Sequence, residues 1–110
     1  MRKPLVWLHG AVRTPPFSGE ARIETGVLLR RLQRGEVLGM PNSRQMPTIG
    51  PRCHELGIAD GAVTWRLIYR IDADAIVVAA VFKKKTAQTP KSVTDVCTHR
   101  YRDYDRLTRG

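Results

Sequence analysis

Hydrophobic and polar positions alternate in two different rhythms along this chain. Leu5 to Leu8 is a short apolar run containing Trp7 and bounded by Pro4 and Gly10, which reads as a first strand at or near a sheet edge. From about Ser18 to Arg34, Phe17, Ala21, Leu28 and Leu32 recur at spacings of four, seven and four, which project from one side of a helix. Ser18 is placed to cap that helix and Gly35 to terminate it. Its other side carries Arg22, Arg30, Arg31 and Arg34, read chiefly as a solvated basic face.

Gly39 to Pro51 contains Pro41, Pro47 and Pro51, so this stretch is expected to be a loop with no regular element, of a length that favours a functional role. Three strand-like runs follow, Cys53 to Ile58, Val63 to Ile71 and Ala75 to about Lys84, and their short connections predict an antiparallel meander. Thr89 and Pro90 are positioned as N-cap and first residue of a second helix that turns Val93, Val96, Cys97, Tyr101 and Tyr104 to one side. The expected order is β-α-β-β-β-α, a small α+β fold with an antiparallel sheet and the first helix on one of its faces.

Strand parity sorts the side chains of the sheet. Residues two apart share a face, so Val63, Trp65, Leu67, Tyr69 and Ile71 form a core face and Thr64, Arg66, Ile68 and Arg70 point the other way. In the preceding strand Leu56 and Ile58 match the core set and bring His54 with them, leaving Cys53, Glu55 and Gly57 on the face of Arg66. Glu55 and Arg66 can form either a cross-strand ion pair or the centre of an anionic-substrate site. The lysines Lys83, Lys84 and Lys85 at the end of the last strand admit the same two readings, a solvated strand end or a phosphate-contacting rim. His54 and Tyr69 read first as core residues.

Composition turns these readings toward nucleic acid. The chain has 110 residues, which suits one domain spanning 1–110, and 42% of them are hydrophobic. Nineteen Lys and Arg against ten Asp and Glu give a net charge of +9, a field that attracts polyanions. Cys53 and Cys97 lie in no metal-ligand spacing and are expected to be free thiols, with no metal or cofactor. The stretch Met1 to His9 is too short in apolar residues for a signal segment or membrane span, so a cytoplasmic protein without a membrane partner is expected. A guanidinium on a firm strand beside a carboxylate and lysines suits RNA transesterification, in which a 2′-hydroxyl loses a proton while charge builds on phosphorus.

The ordered runs Met40 to Gly50, His54-Glu55-Leu56, Trp65-Arg66-Leu67-Ile68-Tyr69-Arg70, Val81 to Thr86 and Thr89-Pro90 resemble the phage-derived, HigB-like branch of the RelE/ParE toxin superfamily. That resemblance implies a RelE-like fold of the microbial-ribonuclease type and a toxin of a type II toxin–antitoxin system. The implied activity is a metal-independent endoribonuclease that cleaves mRNA on the ribosome. It further implies a helix-turn-helix antitoxin as partner and contact with operator DNA only through that antitoxin. Carried onto this sequence, the family's phosphate-binding arginine falls on Arg66 and its basic residues after the last strand on Lys83 and Lys84. Glu55, Tyr69 and Lys84 are candidates for general acid and base, and Arg44, Arg70, Lys83 and Lys85 for RNA contacts.

One position departs from the pattern. Members of the branch typically read Glu-Leu-Arg where this chain has Glu55-Leu56-Gly57, so the site is expected to be short of a guanidinium and the activity attenuated. Two further readings follow, a ParE-like gyrase poison, or a catalytically weakened protein kept for binding nucleic acid or antitoxin.

Overall fold

A computed structural model describes residues 2–8, 17–84 and 88–109. Seven elements run in the order β1 (Leu5–Trp7), α1 (Gly19–Gln33), β2 (Ser43–Gln45), β3 (Cys53–Asp60), β4 (Val63–Ile71), β5 (Ile76–Lys84) and α2 (Lys91–Arg109). The strands form one sheet in the order β1-β5-β4-β3-β2. The fold is thus a small α+β arrangement, with two corrections to the expected topology. The sheet is mixed, because β1 lies parallel to β5 at one edge while every other pair is antiparallel. And a strand, β2, forms inside the stretch expected to be a loop. Its three residues fall between Pro41 and Pro47, and the free edge of β3 supplies the hydrogen-bonding partners.

The first helix forms where its periodicity places it. Ser18 accepts the Ala21 N–H at its N-terminus, and Gly35, at φ +93°, takes the left-handed conformation that ends it. The Asp60 carboxylate accepts both the Ser18 N–H and the Trp65 indole N–H, pinning the start of α1 to the β3–β4 turn. Ala21, Leu28, Leu29 and Leu32 pack on Leu56, Ile58, Trp65, Leu67 and Tyr69, so the core face deduced from parity is the one that α1 covers. Thr25 also lies in this buried stripe, its hydroxyl satisfied by the Ala21 carbonyl.

The second helix covers part of the opposite face. Cys97 and Tyr101 pack with Ile68, Val77, Ala79 and Ala80, and Val93 and Tyr104 lie against this cluster. Val96, expected on the packed side, is 43% exposed instead. Residues Ala79 and Ala80 both belong to this face because β5 carries a bulge opposite Ile68/Tyr69, where Ile68 pairs with Ala80 and Tyr69 with Val78. An inserted residue reverses the parity of everything beyond it. Phe82 and Lys84 consequently join the face of Arg66, and Lys83 is turned to the other side.

Candidate active site

Glu55 is the centre of the site. It is flanked by two strands: Arg44 pairs with it from β2, and on β4 the Arg66 side chain reaches it diagonally, since Glu55 pairs with Ile68 and Gly57 with Arg66. The Glu55 side chain is only 1% exposed, and cations surround it as a buried carboxylate requires. Glu55 Oε1 accepts from Arg44 Nε at 3.1 Å, with Arg44 Nη2 at the same distance. Arg66 Nε stands 3.5 Å away and Lys84 Nζ 3.8 Å away. Three cations around one carboxylate leave a surplus of two positive charges.

The other oxygen, Glu55 Oε2, accepts the hydroxyl of Thr89, and Arg44 Nη2 also reaches that hydroxyl at 3.3 Å. The sequence places Thr89 as the cap of α2. Instead the Pro90 carbonyl accepts the N–H groups of Val93 and Thr94, so Pro90 occupies the boundary position and the threonine side chain is released to the site. No motif in the sequence distinguishes this use of Thr89 from capping.

Gly57 explains how Arg66 fits. A Cβ at this position would lie 1.9 Å from Arg66 Nη1 and 3.2 Å from Cζ, so the guanidinium rests directly on the bare glycine backbone. The Gly57 N–H is itself bonded to the Asn42 carbonyl. The space expected to be vacant for want of an arginine at position 57 is filled by Arg66. Among the described residues, Arg66 Nε is a buried donor without a hydrogen-bond partner.

Arg44, Glu55, Arg66 and Lys84 line a cavity of about 150 Å³ whose remaining wall is the segment Met40 to Ser43. Burial holds the Lys84 ammonium below its ordinary pKa, and repulsion from Arg66 and Arg44 adds to the effect against the opposing pull of Glu55. A lysine so placed gives up its proton more readily than a solvated one. The cavity therefore unites anion-binding guanidinium groups, a carboxylate and an acidified ammonium within one cluster.

Other expected site residues lie elsewhere. Tyr69 is fully buried on the α1 side, its hydroxyl 2.6 Å from Ser43 Oγ, and burial raises its pKa. The strand alternation that puts Arg66 on one face puts Tyr69 on the other, so the structure does not bring it to Glu55. Arg70 shares the face of Arg66 but sits under α2, bonded through two nitrogens to Asp72 and two to Asp105, with the Tyr101 ring 4.7 Å from its Cζ. It ties α2 to the sheet and has no free donor edge to offer RNA. Lys83, turned over by the bulge, lies 5.8 Å above the Trp65 ring and is exposed. Lys85 lies outside the described residues. His54 stacks on Tyr69 at 5.2 Å, half-buried, with its pKa lowered by burial.

Residues 16–102, which include every member of the Glu55 cluster, match the model of the family described as Phage derived protein Gp49-like (DUF891). The chain belongs to this Gp49-like family. Among curated proteins no match was found. For this Gp49-like chain, no group of His, Cys, Asp and Glu suited to a metal ion occurs among the described residues. None of its described helices is long and apolar enough to cross a membrane.

Proposed function

We propose that this Gp49-like protein is the toxin of a type II toxin–antitoxin pair, of the RelE/HigB type, and that it acts as an endoribonuclease on mRNA at the ribosome. The observation that carries the reading is the convergence of Arg44, Arg66 and Lys84 on one buried carboxylate at a cavity, with the Arg66 Nε donor unsatisfied. A buried donor without a partner is costly, and an entering phosphate oxygen supplies one. Family membership supports the assignment, since Gp49-like proteins are associated with RelE-type toxins.

The chemistry needs only side chains. An RNA phosphate entering the cavity competes with Glu55 for Arg44 and Arg66, whose forked donors suit phosphoryl oxygens. The carboxylate so released takes the proton of the adjacent 2′-hydroxyl as its oxygen attacks phosphorus. Lys84 gives its proton to the departing 5′-oxygen. The new bond is 2′-oxygen to phosphorus and the broken one is phosphorus to 5′-oxygen, leaving a 2′,3′-cyclic phosphate and a free 5′-hydroxyl. Neutralisation is assigned to a helix-turn-helix antitoxin, through which alone operator DNA is contacted, in the cytoplasm.

The test is to express the chain and map 5′ ends of cellular messages by primer extension. Discrete new ends should appear with the parent and fall about 100- to 1,000-fold with Arg66→Ala, the range for removing a group that stabilises developing charge. Growth arrest without new RNA ends, accompanied by inhibited DNA supercoiling, would replace this reading with gyrase poisoning.

A further inference from the structure

A groove larger than this cavity lies at the other end of the edge strand β2, past Gln45. It measures about 490 Å³ and is walled by Gln45, Pro47, Pro51, Arg52 and His54. Its position follows from register: Arg44 pairs with Glu55, and the very next pair is Gln45 with His54, on the opposite face of the same short edge strand. A strand of nucleic acid leaving the cavity would reach this groove by crossing the edge strand β2 to its other face.

We infer that this groove is a nucleobase subsite, taking the base of a nucleotide adjoining the phosphate held at Arg44 and Arg66; the inference rests on the ribonuclease reading of the Glu55 cluster. The lining has the chemistry of a base pocket. Pro47 and Pro51 offer flat apolar surfaces, the exposed Gln45 amide carries both a donor and an acceptor, and His54 lines the wall with one ring face already supported by Tyr69. Burial keeps the imidazole neutral at physiological pH, so it acts there as a ring and a hydrogen-bonding group and not as a phosphate cation. The charge is supplied by Arg52, half-exposed at the groove's rim and held at φ +65°, a conformation uncommon for a side chain of this size. Its Nη1 lies 3.3 Å from Asp72, which anchors the guanidinium without covering it. Guanidinium planes and rings of this kind stack on unpaired bases.

A single-stranded RNA hexanucleotide fully 2′-O-methylated cannot be cut by attack of its own 2′-oxygen, so binding can be read apart from catalysis. Added to the labelled full chain, it should shift the His54 ring signals and the Gln45 side-chain amide saturably. An abasic version with the same phosphates should bind at least about five-fold more weakly, the lower end of what one stacked base contributes. Gln45→Ala, a change at an exposed edge position that leaves the core intact, should weaken the parent RNA by a similar factor and the abasic RNA not at all. Equal affinity for intact and abasic RNA, or shifts confined to Arg44, Arg66 and Lys84, overturns the subsite while leaving the proposed ribonuclease standing. Absence of cut messages in cells with base-dependent shifts at His54 overturns the ribonuclease and leaves the base-binding groove.

Discussion

Arg66 rests against the bare backbone of Gly57, with Nη1 only 1.9 Å from where a β-carbon would sit. The two residues are directly paired across β3 and β4, so the absence of a side chain on one strand is what lets the guanidinium of the other turn back toward Glu55. A glycine in a strand interior costs backbone entropy, and here that cost gives Arg66 its place.

Gly57→Ala therefore separates two roles for the glycine. If it marked a lost arginine, filling the position would leave the site unharmed and Gly57→Arg would increase growth arrest. The geometry predicts the reverse. Alanine should change stability by less than about 1 kcal/mol, since the entropy gained offsets the displacement of a partly solvated side chain, while RNA cutting falls sharply. Urea melts and primer-extension mapping of the same variant check both halves, and a more toxic Gly57→Arg would show that Arg66 has another productive position.

Glu55→Gln removes the charge that holds Arg44, Arg66 and Lys84 together. The shape is kept and the Thr89 hydrogen bond can persist, but three cations then face one another around a buried amide. Stability should fall by about 1–3 kcal/mol, below the full value for a broken buried ion pair because Arg44 is partly solvated. RNA affinity should rise at the same time, as the internal competitor for phosphate is gone. Binding that weakens along with stability would mean that Glu55 organises the cations for RNA and does not compete with it.

The Glu55/Arg66 face is legible in the sequence because alternation is a local property that survives in β3 and β4 without interruption. Legibility ends where a non-local event changes the count. The bulge at Ala79/Ala80 is invisible in a run that is apolar on both sides, and it alone decides that Lys84 reaches Glu55 while Lys83 goes to Trp65. Likewise β2 exists because β3 offers a free edge, not because Ser43-Arg44-Gln45 has strand character. Arg70 and Arg66 are indistinguishable by parity. Only the docking of α2, with Asp105 and Tyr101, commits the first to structure and leaves the second to the cavity.

That division between arginines has a measurable consequence. Arg44→Ala should reduce the dependence of log binding constant on log salt by roughly 0.7, the value for one phosphate of a single strand no longer neutralised, and should cost about 1–3 kcal/mol of stability, because the buried Glu55 carboxylate loses its nearest cation. Arg70→Met should leave the salt dependence unchanged and cost about 3 kcal/mol, because Asp72 remains wholly buried with only Arg52 and Arg109 to balance it. A reduced salt slope in the Arg70 variant would show that α2 moves aside when RNA binds.

Lys84 offers a prediction in pH. Its folded-state pKa lies below the ordinary 10.5, so between the two values the unfolded chain holds the extra proton and stability gained from this residue rises with pH. Cys53 and Cys97 act oppositely. Burial pushes both thiols from 9.0 up to about 11, so the unfolded chain loses those protons first and stability falls over the same alkaline range. The sum is not diagnostic, but the difference between the parent and Lys84→Met isolates the lysine: the variant should lose stability more steeply as pH rises. On the proposed mechanism the same depressed pKa should set the alkaline limb of RNA cutting, where the donated proton is lost. Lys84→Arg should keep RNA binding and remove most of the cutting, since a guanidinium holds its proton at any accessible pH. An arginine variant that cuts as fast as the parent would assign the proton to another donor and leave Lys84 with phosphate binding alone.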